Sequence, residues 1–424
     1  LKGEWLMLLS HRTKISLNND YSNIIGHMCY AAYKLWNVGN YERLNYKELG
    51  LSEYPDWYYQ KKYHKDDMWY KQLPSQTAQE VLKLLDKSWK SFYVLQKTHG
   101  IENPRPPRFK QAPIVITYMQ NAIVHEKGSD VVRLSLPKQL KIFMSETYGI
   151  SDNYIYLKNK VFKDTDTIKQ IKIYPPEGDK CDIIVVYEVE DIMPLPDNGR
   201  YLSIDLGLHN LMTCYDSTNG DTFIVGRKYL SICNYFNKEI ARVQSQWSSL
   251  QSGKGIKYPK SSKHIQRIHK KKNNSINDYL HKVTRYIVSY CVENHINTVV
   301  IGDITNIRKD NDLGNVTNQK LHSLPFAKIY MMLQYKLKMK GIILIKQNEA
   351  YTSQTSPLSR EVSKESAQKS NRIKRGLYKD GDKSWNADCV GAYNILKLHL
   401  SAKKINVELN PNEVKNPIVA KVAV

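Results

Sequence analysis

Cysteine is scarce in this sequence and never paired: Cys29, Cys181, Cys214, Cys233, Cys291 and Cys389 are the only six in 424 residues, and none forms a CxxC. That spacing argues against a disulfide framework and against a zinc ribbon, and reads as scattered thiols in a reducing compartment. Long apolar runs are missing too. The longest are short pieces such as Thr298–Ile301 and Ile342–Ile345, well below the roughly 20 residues of a membrane span. No signal-peptide pattern opens the chain. It starts at Leu1 rather than Met, so the expectation is that a few native residues precede it or another start codon was used. The expected location is the cytosol, with no membrane association and no secretion.

Acidic residues are also short. Lys and Arg number 63 against 41 Asp and Glu, a net charge of +22 and a pI near 9.4. Self-repulsion of that size calls for a polyanion to relieve it. Ribosomal and membrane-surface proteins share the property, so charge favours nucleic acid without excluding them. Thirty Tyr and seven Trp offer stacking faces, although most aromatics in any chain are core. At 424 residues with 41% apolar content, two or three domains with real cores are expected.

Residues 1–18 read as an opening strand around Trp5-Leu6-Met7-Leu8-Leu9, and 19–98 as helical. The clearest helix opens at Pro74-Ser75, with Ser75 as its expected cap and Ala78, Val81, Leu82, Leu85, Trp89 and Phe92 at helical spacing. Gly100, Pro104, Pro106 and Pro107 mark a linker. From about 111 to 190 the pattern is strand-like (Ile114–Met119, Val131–Leu136, Ile171–Tyr174, Asp182–Val189), as in a small β-barrel. Met193–Gly199 ends it. After 200 come strands Tyr201–Asp205, Leu211–Tyr215 and Thr222–Val225, and a basic helical stretch at 229–294. Strand Thr298–Asp303, helix Phe326–Lys340, strand Gly341–Lys346 and helix Asn386–Leu400 close the pattern. This order with mixed pairing fits an RNase H-like layout.

Two carboxylates stand out. Asp205 lies within the otherwise apolar strand Tyr201–Gly207, where an ionised group is costly unless something cationic sits against it. Gly207 is read as room for a phosphate or metal. Asp388 falls in a helix first turn, which favours an acid anyway, but small Ala387, Gly391 and Ala392 let that helix press closely on a sheet. Strand-end capping and helix stabilisation are the ordinary readings; the functional one is two-metal phosphodiester chemistry.

The sequence resembles TnpB, the transposon-encoded RNA-guided nucleases related to type V CRISPR effectors and Fanzor proteins. The resemblance rests on Ser203-Ile204-Asp205-Leu206-Gly207, Tyr351-Thr352-Ser353-Gln354 and Asn386-Ala387-Asp388 through Gly391-Ala392-Tyr393-Asn394-Ile395-Leu396. Leu73-Pro74-Ser75-Gln76, Pro107-Arg108-Phe109-Lys110 and the Asp278–Arg285 helix also match. It implies a multidomain α+β chain: a wedge-type β-barrel (1–18 and 99–197) with an inserted helical recognition domain (19–98). An RNase H-like, RuvC-type mixed α/β nuclease domain (198–353 and 384–424) then follows. The implied activity is Mg²⁺-dependent DNA cleavage at a two-metal carboxylate site, with Mn²⁺ substituting. The implied partners are a guide RNA and double-stranded target DNA, with the chain a monomer in the ribonucleoprotein.

Two departures matter. The family's usual second acid is a Glu in the strand here spanning Thr298–Ile304, where Gly302 fills its place beside Asp303. A subset carries the Glu before the Thr-Ser motif instead, and Glu349 matches that. The expected catalytic and metal-binding residues are therefore Asp205, Glu349 and Asp388. The zinc finger usual between the Thr-Ser motif and the last Asp is replaced by an insertion, 354–383, without any Cys or His, so no zinc is expected.

For nucleic acid, the stretch Lys254, Lys257, Lys260, Lys263, Arg267, Lys270, Lys271 and Lys272 holds eight basic residues and no acid, which favours phosphate binding over a merely solvated face. The family's guide pairs with the target strand while the protein reads a short flanking DNA motif. Ser75, Gln76 and Gln79 are candidate readers of it, since Gln amides address adenine edges. Arg108, Lys110, Lys282, Arg285, Thr352, Ser353, Gln354, Arg372, Lys374 and Arg375 complete the expected contacts. A nuclease-inactive, RNA-guided repressor and a DDE-type transposase stay open as alternatives.

Overall fold

In the computed structural model, the residues described are 6–304, 324–374, 376–414 and 416–423. Trp5 and Arg375, named above, lie outside them. The chain divides into two units, one up to Asp191 and one from Ile192.

In the first unit, Asn18 separates strand β1 (Leu6–Ser16) from helix α1 (Asn19–Leu44): its side chain accepts from the Tyr21 N–H at 2.7 Å. Short helices α2 (Trp57–Tyr63) and α3 (Met68–Lys71) lead to α4 (Ser75–Thr98). The Ala78, Val81, Leu82, Leu85 and Trp89 stripe is buried, as its spacing requires. Ser75 does not cap this helix. Pro74 holds the capping position with no side-chain bond, so Ser75 is the first helical residue and exposed. The Pro-rich stretch is not a free linker either. Asn40 donates to the Pro107 carbonyl, Trp36 to that of Arg108, and Asn37 brackets Lys110 through its carbonyl and N–H.

The following strands are β2 (Ile116–Met119), β3 (Ile123–His125), β4 (Val131–Ser135), β5 (Tyr154–Lys158), β6 (Thr167–Ile173) and β7 (Lys180–Glu190). They fall into two sheets rather than the single barrel expected, ordered β1-β7-β6-β2 and β3-β4-β5. Helix α5 (Lys138–Tyr148) and β5 were not foreseen. Leu140 and Met144, four apart and buried, were the helical signal, and Gly149 ends the helix at φ 68°. Helix α6 (Lys160–Lys163) precedes β6. One hydrophobic core runs from Ile15 through α1 and α4 to Val185, so helical region and strands are a single folding body.

Inside that core Arg43 is 2% exposed. It donates to Asp86 and Gln60, each at 3.0 Å, tying α1 to α4 and α2. Burial pushes the Asp86 carboxyl up, but Lys90 and Arg43 outweigh it and hold it below its usual range. Removing one partner strands the other charge, so Asp86→Ala should cost about 3–5 kcal/mol at neutral pH. A lowered folded pKa gives stability that is complete above the usual carboxylate value and lost as pH falls through the folded one. Urea denaturation should therefore show a constant wild-type advantage between pH 7 and about pH 5, narrowing only as pH falls below about 4. A gap that already narrows above about pH 5 would mean that the Asp86 carboxyl is not held below its usual range.

The second unit is built on a six-stranded sheet. Strands β8 (Tyr201–Asp205), β9 (Met212–Asp216) and β10 (Thr222–Val225) form an antiparallel meander. Helices α7 (Tyr229–Ser252) and α8 (Lys263–Glu293) lead to β11 (Thr298–Asp303), parallel to β8. Helix α9 (Phe326–Lys338) leads to β12 (Ile343–Asn348), parallel to β11. A small hairpin, β13 (Tyr378–Asp380) and β14 (Lys383–Trp385), precedes helix α10 (Ala387–Lys403), and β15 (Ile418–Val419) adds in parallel to β10. The order is β12-β11-β8-β9-β10-β15.

Strand alternation divides this sheet's faces. Leu202, Ile204, Met212, Cys214, Val299 and Ile301 share a core with α8 and α9, whereas Tyr201, Tyr215 and Val300 share one with α10. Asp205 and Gly302 continue the α10 face by parity.

Candidate active site

Helix α10 lies on the sheet through side chains that are small where contact is closest. Ser203 donates to the Ala392 carbonyl at 2.6 Å. A Cβ at Gly391 would stand 2.7 Å from Asp205 Oδ2, so the Asp205 carboxylate fills the space that the missing side chain leaves. One turn earlier is Asp388. Asn386 caps the helix by accepting from the N–H groups of Asp388 and Cys389 at 3.0 and 3.4 Å. One turn after Gly391, Ile395 approaches Gly302.

 

Asp388, Gly391 and Ile395 therefore share one face of α10, and that face meets Asp205 first and Gly302 next.

Glu349 follows the last residue of β12 and is set by a tight turn. Asn348 Oδ1 accepts from the Ala350 N–H at 2.9 Å, the Thr352 hydroxyl donates to the Glu349 carbonyl at 2.8 Å, and Tyr351 takes a left-handed φ of 64°. Asn394 of α10 donates to the carbonyls of Thr352 and Thr355, both at 2.8 Å, and so fastens the turn to the helix that carries Asp388. The Glu349 carboxylate then occupies the space a side chain on Gly302 would need: a Cβ there would collide with Glu349 Oε2 and stand 3.0 Å from Ile395 Cδ1. Asp303, next along β11, points to the opposite face by parity and lies 4.0 Å from Lys346.

Two of the carboxylates bear on the third. Burial, then Glu349 and Asp388, raise the Asp205 carboxyl well above the usual range, with Arg372 opposing. Burial, then Asp303, push Glu349 up to about 7. Asp388 accepts from the Asn210 amide at 2.8 Å and pairs with Arg372 at 3.5 Å. Glu349 Oε2 is buried and accepts no hydrogen bond. Partly buried carboxyl groups with one guanidinium among them form a hard-oxygen donor set that a divalent cation would satisfy. No three His, Cys, Asp or Glu side chains among the described residues stand ready as a metal cluster, so ligation would need side-chain rotation.

Several expected contacts are placed differently. Gly207 does not leave room for a ligand: a Cβ there would lie 2.6 Å from the Asn210 carbonyl oxygen, so the glycine serves a turn of its own chain. Thr352 is 4% exposed and its hydroxyl is spent on the Glu349 turn, which makes it a support rather than a nucleic-acid contact. Ser353 and Gln354 beside it are half-buried. The 354–383 insertion is fastened to itself: the Gln354 carbonyl accepts from the Gln368 N–H at 2.8 Å and the Tyr378 hydroxyl at 3.1 Å. Arg372 reaches Asp388 from it, while Lys374 is exposed.

Lys254, Lys257, Lys260, Lys263, Arg267, Lys270 and Lys271 are exposed, whereas Lys272 donates to Asn237 at 2.6 Å. Lys263, Arg267, Lys270 and Lys271 share one face of α8. Lys282 pairs with Asp278 at 2.8 Å. Arg285 is exposed, and after burial it is the second influence lowering Lys336 to about 8. In the first unit, Arg108 and Lys110 are exposed, with Lys110 Nζ 4.4 Å from the Trp36 ring centre. Gln76 keeps a buried Oε1 without a partner, and Gln79 donates to the Tyr70 hydroxyl at 3.4 Å. The sequence reading missed Asn210 and Asn394 as supports. Asn394 stood inside a motif already quoted, but Asn210 lay in a loop with no pattern to mark it.

Two family models match the chain: the probable transposase family OrfB_IS605 over residues 184–308, and the Cas12f1-like TNB domain over residues 326–395. The chain is similar to the putative RNA-guided DNA endonuclease InsQ of Escherichia coli K12, 25% identical over 84% of this chain and 82% of that protein. It is also similar to the TnpB-like protein MJ0751 of Methanocaldococcus jannaschii, 22% identical over 38% of this chain and 58% of that one. In structure it is similar to Cas12f1 in its complex with sgRNA and target DNA. The TM-score is 0.58 at 14% identity, covering 89% of this chain and 83% of that one. The fold is thus a mixed α/β, multidomain one of the Cas12 kind. The family matches and the likeness to InsQ together support a TnpB-type chain.

Proposed function

We propose that this chain is an RNA-guided DNA endonuclease whose second unit is an RNase H-like, RuvC-type nuclease domain. The observation that carries the reading is the Glu349 carboxylate lying in the space left by Gly302, on the sheet face that carries Asp205 and packs against the helix that carries Asp388. Asp205, Glu349 and Asp388 would hold Mg²⁺, or Mn²⁺ in its place. When bound, such ions activate water and stabilise the leaving oxygen of a phosphodiester. The protein's own part is to orient the carboxylates: Asn210 fixes Asp388, and Thr352 and Asn394 fix the Glu349 turn. The α8 stripe and Arg285 favour a guide RNA paired with its target, and Gln76 and Gln79 a flanking motif in double-stranded DNA. The first unit would act as wedge and recognition region, in a ribonucleoprotein with one copy of the chain.

The test is purification with and without RNase, followed by a cleavage assay on matched DNA. A structured RNA should copurify, its removal should lower the melting temperature, and cutting should require both the RNA and Mg²⁺. Unchanged melting and nucleic-acid content after RNase would overturn the RNA-guided reading. Binding without cutting in Mg²⁺ or Mn²⁺ would favour a repressor, the reading that Gly302 in the usual glutamate position supports.

A further inference from the structure

Helix α7 is launched by a turn that glycine makes possible. Gly226 has φ +86°, and a Cβ there would lie 2.7 Å from Leu211 Cβ. The next residue, Arg227, is exposed and lines a cleft of about 730 Å³ together with Ser231 and Asn234 from the first turns of α7. The same cleft is lined by Asp388 and Asn210 of the carboxylate site. Ile224, Leu230 and Val419 give it apolar surface. Its volume falls within the roughly 300–1,000 Å³ of small-molecule sites, enough to admit a single nucleotide.

The chemistry of the lining narrows the ligand. Asp388 is the one acid among the lining residues and Arg227 the one guanidinium; Asn210, Ser231 and Asn234 are neutral hydrogen-bonding groups. A ligand with an anion at one end and a flat, partly apolar body fits that distribution. Guanidinium suits a phosphate oxygen, neutral amides and a hydroxyl suit a sugar or base edge, and aliphatic side chains suit a base face. We infer that this cleft seats an unpaired nucleotide of the DNA strand being cut, next to the reacting phosphodiester, with its phosphate at Arg227 and its base against Ile224, Leu230 and Val419. The inference rests on the endonuclease reading and adds to it a substrate subsite on α7. It requires the strand to be unpaired for at least one nucleotide on this side of the cut.

Two measurements on the full ribonucleoprotein test it. In the first, single phosphates flanking the cut are replaced by neutral methylphosphonates. One position should slow wild-type cleavage about 10- to 100-fold, the worth of one charged hydrogen bond. Arg227→Gln should slow cleavage of ordinary DNA by a similar factor and be indifferent to that methylphosphonate. Ser231→Trp, which fills the cleft, should slow cutting without weakening target binding. Equal methylphosphonate penalties in wild type and Arg227→Gln would overturn the subsite, because a merely structural arginine would leave them equal. The second measurement does not need chemistry. In Glu349→Gln protein, a photoreactive base beside the cut position should crosslink to residues 224–234. Crosslinks mapping to 352–374 instead, or no crosslink in a complex that binds its target, would refute the subsite. Failure of guided binding in wild type would show separately that the endonuclease reading is at fault.

Discussion

Glu349→Gln is expected to lower Mg²⁺-dependent cleavage by on the order of 10³-fold or more, while guided DNA binding stays nearly intact. The amide keeps the shape of the side chain and removes its charge. A two-metal site depends on both ions being positioned, so loss of one ligand stops water activation and leaving-group stabilisation together. Asp205→Asn and Asp388→Asn should behave alike. Asp303→Asn should retain substantial cleavage, because β11 turns Asp303 away from the face that carries Gly302, toward Lys346. The measurement is cleavage of a matched target beside binding of the same DNA. Full loss with Asp303→Asn and normal cutting with Glu349→Gln would reverse the assignment.

The strands that deliver these groups were legible because each is an apolar run bounded by turns. Tyr201–Asp205 and Thr298–Asp303 appear in the structure with the bounds read from the sequence. Periodicity also gave the α4 stripe and the final helix. What the sequence hid is of another kind. Gly207 and Gly302 are both glycines near a carboxylate, yet one makes room for its own backbone and the other for Glu349. A glycine records that space is needed, not what fills it. Thr352 and Arg372 likewise carry types suited to nucleic acid, but burial spends the first on a turn and proximity pairs the second with Asp388. Helix α5 was hidden by its strand-rich surroundings, where two buried positions four apart were too few to outweigh the flanking pattern.

Gly302→Ala is expected to lower cleavage by on the order of 10²-fold or more, although it adds only a methyl group. The new Cβ would collide with Glu349 Oε2 and press on Ile395 Cδ1, 3.0 Å away. Ile395 is fully buried and Glu349 is held by its turn, so the carboxylate must leave its place facing Asp205. The fold should bear the change, since alanine loses less backbone freedom than glycine in a strand and position 302 keeps its pairing with Gln347. Melting temperature should therefore shift little while activity falls, which separates a displaced ligand from a damaged core. A companion variant exploits the same geometry. Gly302→Glu combined with Glu349→Gly puts the acid on β11 and clears the space it needs, so the pair should cut faster than either single variant. Coupling of that sign is what two positions sharing one volume must show. Wild-type cleavage by Gly302→Ala would mean that the Glu349 carboxylate does not work from the space beside residue 302, and the proposed third ligand would have to be sought elsewhere.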